Sequence, residues 1–227
     1  MMLKMFHLHY RFRNLLIWLF LYLVVSPVLA AVPHANLLIQ LFFTAVLFSA
    51  VYTIHREGLV IWPAVVLMVA CAILLWCNTF GLFSISGMAI NFILFFYLAL
   101  LVAIFSRYIF SASRVDAELI AAALCLYFLL GLLWSTLYML LESFVPGSFA
   151  GLPLAELTSY REQFARFNYL SFVTLTTLGY GDITPKTPSA MAFCQAEAIL
   201  GQFFTAVLVA RLVGIQVAQQ LTGKKGK

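Results

Sequence analysis

An all-α integral membrane fold, with six transmembrane helices and a re-entrant helix and loop between the fifth and sixth, is predicted by three observations. Apolar residues make up 64% of the 227 and charged residues only 9%, with a mean hydropathy of +1.04. That is far more apolar surface than a soluble core can hide, so lipid is the solvent. Apolar stretches long enough to cross about 30 Å of hydrocarbon fall at 14–32, 35–54, 59–79, 88–109, 117–142 and 188–214. Between the last two lies a half-polar stretch from Val145 to Pro188, broken at Pro146-Gly147 and Gly151-Leu152-Pro153. It is too interrupted to cross and is expected to dip in and return.

The first apolar stretch follows Lys4, Arg11 and Arg13 and ends at Val28-Leu29-Ala30-Ala31, a pattern that a secretory signal shares. Its apolar run is closer to a full span than to a signal core, and it is read as a span. Six spans put both termini on one side. With the termini inside, the cytoplasmic set is Lys4, Arg11, Arg13, Arg56, Arg107, Arg114, Arg211, Lys224, Lys225 and Lys227, against Arg161, Arg166 and Lys186 outside. Basic residues in short loops stay cytoplasmic, so both termini are expected there.

The first three spans carry no acidic residue within their apolar runs, and the fourth, around Asn91–Leu100, carries no charge, with Arg107 at its inner end. A voltage sensor needs several arginines, because one charge crossing the full potential contributes only about 2.3 kcal/mol per 100 mV. Residues 1–115 are therefore expected to form a four-helix, sensor-like bundle without sensing charges, in contact with membrane lipid. Residues 116–216 form a second domain, and 217–227 a short basic cytoplasmic tail. Cys71, Cys77, Cys125 and Cys194 lie in apolar stretches at no metal-ligand spacing and read as structural thiols. The net charge of +5 is explained by membrane topology, and no nucleic-acid partner is expected. His7, His9, His34 and His55 have no catalytic carboxylate or nucleophile nearby, and no cofactor motif appears, so the chain is not read as an enzyme.

The chemistry concentrates in Thr174-Leu175-Thr176-Thr177-Leu178-Gly179-Tyr180-Gly181-Asp182. An ordinary strand points successive carbonyls to alternate sides, whereas Gly179 and Gly181 adopt positive φ at little steric cost and let the oxygens turn one way. Thr177–Gly181 differs at one position from the potassium-channel filter sequence. With the flanking Ser171–Thr176 and Ile183-Thr184-Pro185, set between two spans, the stretch from about Glu118 to Gly214 resembles the pore module of the tetrameric potassium channel superfamily. The whole chain looks like a six-span bacterial member.

That resemblance implies a homotetramer in a plasma membrane, a bacterial inner membrane, conducting K+ passively and without strong voltage gating. It makes 116–216 a pore domain of outer helix, pore helix over Phe167–Thr177, selectivity filter and inner helix. It implies a filter of Thr177, Leu178, Gly179, Tyr180 and Gly181, with K+ held at Thr177, Leu178, Gly179 and Tyr180 as permeant ligand and no other cofactor. Gly201 occupies the place of the inner-helix hinge, with close helix packing as the other reading. Helical spacing from Gly201 puts Gln202, Thr205, Val209 and Val213 on one stripe, lining a cavity or bonding between helices.

The sequence departs from the commonest family pattern at Leu178, where valine is usual, at Tyr169 and Leu170, where paired tryptophans are frequent, and at Val173, where some members have a carboxylate. Tyr169 and Asp182 are expected to brace the filter together, a phenol replacing the indole donor. Glu197 is the acid deepest in an apolar span and sits about one helical turn from Gly201. It is expected behind the pore helix, toward groups such as Thr174, as a neutral acid that either holds helices together or tunes the filter. A weakly selective cation channel and a transporter or assembly subunit that does not conduct alone are the competing functions.

Overall fold

The computed structural model describes residues 11–30, 36–54, 61–81, 86–152 and 159–225. The four histidines fall outside these residues. Seven helices are described: α1 (Arg11–Ala30), α2 (Asn36–Ile54), α3 (Ile61–Phe80), α4 (Gly87–Ser111), α5 (Ala117–Phe144), α6 (Tyr160–Leu175) and α7 (Pro188–Lys225). A two-residue ribbon joins β1 (Phe149–Ala150) to β2 (Thr184–Pro185), antiparallel. All the helices except α6 are long and apolar enough to cross a membrane. The protein is an all-α, multi-pass integral membrane protein. Helix α7 continues through 217–225, so the stretch expected as a separate tail extends the last helix.

Helices α1 to α4 form a bundle on the same chain's α5, with α1 against both α2 and α5 and α4 along the length of α5. Leu15, Leu19, Leu47, Ile90, Leu94 and Leu98 fill its centre and are essentially inaccessible. Two buried polar side chains inside it are satisfied by backbone carbonyls, whereas Gln40 Nε2 on α2 is buried without a partner among the described residues. The Tyr97 hydroxyl donates to Leu47 O at 2.7 Å, and Asn91 Nδ2 donates to Thr136 O at 2.9 Å. The α4–α5 junction is set by Asp116, whose extended backbone and Oδ1, accepting from Leu119 N at 2.8 Å, cap α5. Glu118 in the first turn accepts from Phe12 N at 3.0 Å and fixes the start of α1 to α5.

Burial is uneven in a way that matters for the site. Of the apolar window of α5, 67% is buried, against 6% for α7. Within one chain α7 touches α5, α6 and the β2 ribbon, its Arg211 donates to Phe110 O at the end of α4 at 2.6 Å, and most of its circumference is bare.

Candidate functional site

Helix α6 begins seven residues before the expected Phe167, because Ser159 and Glu162 form a capping box. Ser159 Oγ accepts from Glu162 N and Glu162 Oε2 accepts from Ser159 N, each at 3.2 Å. Its first turn is lodged in the bundle. The Phe164 ring lies 5.8 Å from that of Phe43, Arg161 Nη2 reaches Gln40 Oε1 at 3.5 Å, and the Tyr160 hydroxyl meets Asn91 Oδ1 at 3.4 Å.

The other end of α6 holds the Thr177–Gly181 strand. Thr177 N donates to Thr174 O at 2.9 Å, Leu178 N to Val173 O at 2.9 Å, and Gly179 N to the same Val173 O at 3.3 Å. The helix stops at Leu175, two residues before the expected Thr177. Its terminal carbonyls, otherwise orphaned, anchor the strand. Thr177, Gly179 and Gly181 have φ of 58°, 57° and 79°, while Leu178 and Tyr180 between them have negative φ. A strand that alternates left-handed and right-handed residues turns its carbonyls to one side instead of alternating them.

The sequence marked the two glycines; it did not mark Thr177, a β-branched residue for which positive φ is an outlier costing about 1–3 kcal/mol. The three bonds to Val173 and Thr174 hold it there.

Around the strand, Gln202 Nε2 on α7 donates to Thr177 Oγ1 at 3.0 Å. Leu178 and Tyr180 are 55% and 66% exposed and border a cleft lined also by Phe20, Tyr169 and Phe172. The Tyr169 phenol on α6 hydrogen-bonds the Asp182 carboxylate beyond the strand, and Asp182 Oδ1 also accepts from Ile183 N at 3.0 Å. The bond from Tyr169, aided by Ile183 N–H and the charge of Arg166, holds the Asp182 carboxyl below the usual range.

The far side of the strand is closed by the β1–β2 ribbon, where Gly151, at φ 82°, lies so close that a Cβ would sit 1.9 Å from Asp182 O. Buried Glu142, at the end of α5, accepts from Gly147 N at 2.6 Å and Phe149 N at 3.2 Å and shapes the turn leading there. The sequence reading missed Glu142; an acid just before Pro146-Gly147, at the end of an apolar span, is the signal that marks it.

On α7, Gly201 sits where a Cβ would approach Leu175 O to 2.2 Å, and the helix is continuous through it. Close packing is the visible need for glycine there. Thr205 Oγ1 donates to Gly201 O at 3.0 Å, within its own helix, and Thr205, Val209 and Val213 are exposed along the bare face. Glu197 is fully buried behind α6, but its partners are Ser171 and Tyr138, not Thr174, whose carbonyl serves Thr177. Among the described residues no group of three or more His, Cys, Asp or Glu side chains is placed to hold a metal ion. The four cysteines are free.

Residues 122–217, from α5 to α7, match the Ion_trans_2 family, described as "Ion channel". A two pore potassium channel c of Oryza sativa subsp. japonica is 44% identical over 45 residues, which are 20% of this chain and 10% of that protein. The matched region spans about a tenth of the length of that relative. No solved structure matches. Residues 122–217 are thus similar to an ion-channel domain, and these matches point to a channel, not to an enzyme.

Proposed function

We propose that the protein is a potassium-selective channel subunit that conducts K+ passively through a pore built by four copies. The observation that carries this is the alternation of backbone handedness at Thr177, Gly179 and Gly181, pinned to the carbonyl end of α6. Such a strand offers the carbonyls of Thr177, Leu178, Gly179 and Tyr180, and the Thr177 hydroxyl, as a substitute for an ion's water shell. One strand is a quarter of a ring, so the reading requires a homotetramer. The bare α7 and the exposed Leu178 and Tyr180 are the surfaces that copies would cover. Gly181 and Asp182 then lie at the outer mouth, with both termini cytoplasmic in a plasma membrane, and the stripe of Gln202, Thr205, Val209 and Val213 faces the inner cavity. Purified protein reconstituted into planar bilayers tests the proposal. In opposed K+ and Na+ gradients, single-channel current is expected to reverse near the potassium equilibrium potential; reversal that follows Na+ equally well refutes it.

Two further outcomes follow. Helix α4 carries no charged residue before Arg107, which is exposed near its end, so conductance is expected to rise only shallowly with voltage. A gating valence of several elementary charges, measured from the limiting slope, contradicts this. The second concerns the Tyr169–Asp182 bond. A carboxyl held below its ordinary pKa of about 3.9 contributes stability that is fully present above that pH and is lost as pH falls through the lowered value. The parent is expected to keep a stable filter at neutral and mildly acid outer pH and to inactivate only in strong acid. Tyr169→Phe is expected to inactivate faster already at neutral pH. Identical inactivation time courses across the pH range remove the brace.

A further inference from the structure

Glu197 of α7, Ser171 of α6 and Tyr138 of α5 meet in a site where all three are fully buried. Glu197 Oε1 lies 2.5 Å from Ser171 Oγ, and Oε2 is bonded by the Tyr138 hydroxyl, which also borders the Cys194 thiol. Ser171 Oγ is at the same time 2.7 Å from Gly131 O on α5. A hydroxyl has one proton, and a carbonyl has none to give. The Ser171 proton therefore belongs on Gly131 O, which also takes a bond from Ser135 Oγ at 2.7 Å. The contact between Ser171 and Glu197 then needs a proton from the carboxyl group. An ionised Glu197 would draw the Ser171 proton to itself and leave two oxygen lone pairs facing each other at 2.7 Å. Tyr138, donating to Oε2, completes a set in which every hydroxyl proton has an acceptor.

A second contact lies one helical turn further on. Gly201 is four residues beyond Glu197, and Leu175, which it touches, is four residues beyond Ser171. The two helices thus meet twice in the same register, once through the acid and once through bare backbone. Between these points Val173 O receives the amides of Leu178 and Gly179.

We propose that Glu197 stands as a neutral carboxylic acid donating to Ser171, and that the ordered chain from carboxyl to Ser171 to Gly131 positions α6, and with it the strand, between α7 and α5. Its protonation is independent of what the pore conducts; the positioning of a filter rests on the channel reading above. Glu197 is a positioning residue, since it touches no ion.

Infrared spectroscopy of the reconstituted protein at neutral pH tests the protonation. A carboxylic-acid carbonyl band is expected in the parent, lost in Glu197→Gln and shifted in Ser171→Ala, where the acceptor is gone. No acid band that depends on Glu197 overturns the proposal, whatever ion the channel passes. The positioning is read from permeability ratios of assembled tetramers. Glu197→Gln, whose amide donates and accepts in the same places, is expected to keep the parent's K+ over Na+ ratio. Ser171→Ala and Glu197→Ala, which strand buried partners, are expected to lower it about tenfold. Should both alanine variants assemble and select as the parent does, the chain does not position the strand.

Discussion

Gly179→Ala is expected to abolish potassium-selective current while leaving the tetramer assembled. The space around Gly179 is open: a Cβ there meets no atom within 4 Å, so the methyl group clashes with nothing. What alanine cannot hold cheaply is φ of 57°. Left-handed backbone costs an L-residue about 1–2 kcal/mol, and the proposed symmetric ring would incur it in every chain at once. The strand relaxes by turning Gly179 out of the left-handed region, which swings a carbonyl away from its neighbours and breaks the ring of oxygens. Size-exclusion chromatography checks assembly, and K+ flux into vesicles checks conduction. Parent-like flux in an assembled Gly179→Ala tetramer would mean that Thr177–Gly181 is not the filter.

Gly201→Ala is expected to be as damaging for the opposite reason. Here the backbone is helical and alanine suits it, but the added carbon falls 2.2 Å from Leu175 O and 3.1 Å from Leu175 Cδ1. A backbone oxygen at the end of α6 has little room to yield, so α7 must move away from the helix that anchors the strand. Overpacking of this kind costs typically about 1–3 kcal/mol. Gly214→Ala, with nothing within 4 Å of its Cβ, is the control and is expected to behave as the parent. Thermal unfolding of the tetramer distinguishes packing from bending. A packing glycine lowers the midpoint when replaced; a pure hinge leaves the midpoint intact and changes only opening. A Gly201→Ala midpoint equal to that of Gly214→Ala, with selectivity unchanged, removes the contact from the account.

How far the site was legible follows from which forces are local. The six spans were readable because crossing lipid depends on the summed hydropathy of about 20 neighbouring residues, a property that needs no partner. Gly179 and Gly181 were readable because positive φ is a preference of the residue itself. Helix α6 was expected to start at Phe167, the start that the resemblance implies for a pore helix. Its first turn forms through the capping box and the docking of Phe164 on Phe43, and the second of these is invisible along the chain.

Two features belong to tertiary structure alone. Thr177 takes a conformation its β-branched side chain disfavours, because three amides of the strand find acceptors on Val173 and Thr174 only if it does. Glu197 was legible as a buried acid facing away from the Gln202 stripe, since helical periodicity assigns faces. Its partner was not, since periodicity says nothing about how far one helix slides along another. That slide is set by the contact of Gly201 with Leu175, which brings Ser171 instead of Thr174 opposite the carboxyl group. Sequence by itself determined the spans, the re-entrant segment and the glycines of the strand, each a matter of local hydropathy or local backbone freedom. The handedness of Thr177 and the partners of Glu197 were decided by packing between α5, α6 and α7, because buried hydrogen bonds are satisfied only by groups that the fold brings from distant parts of the chain.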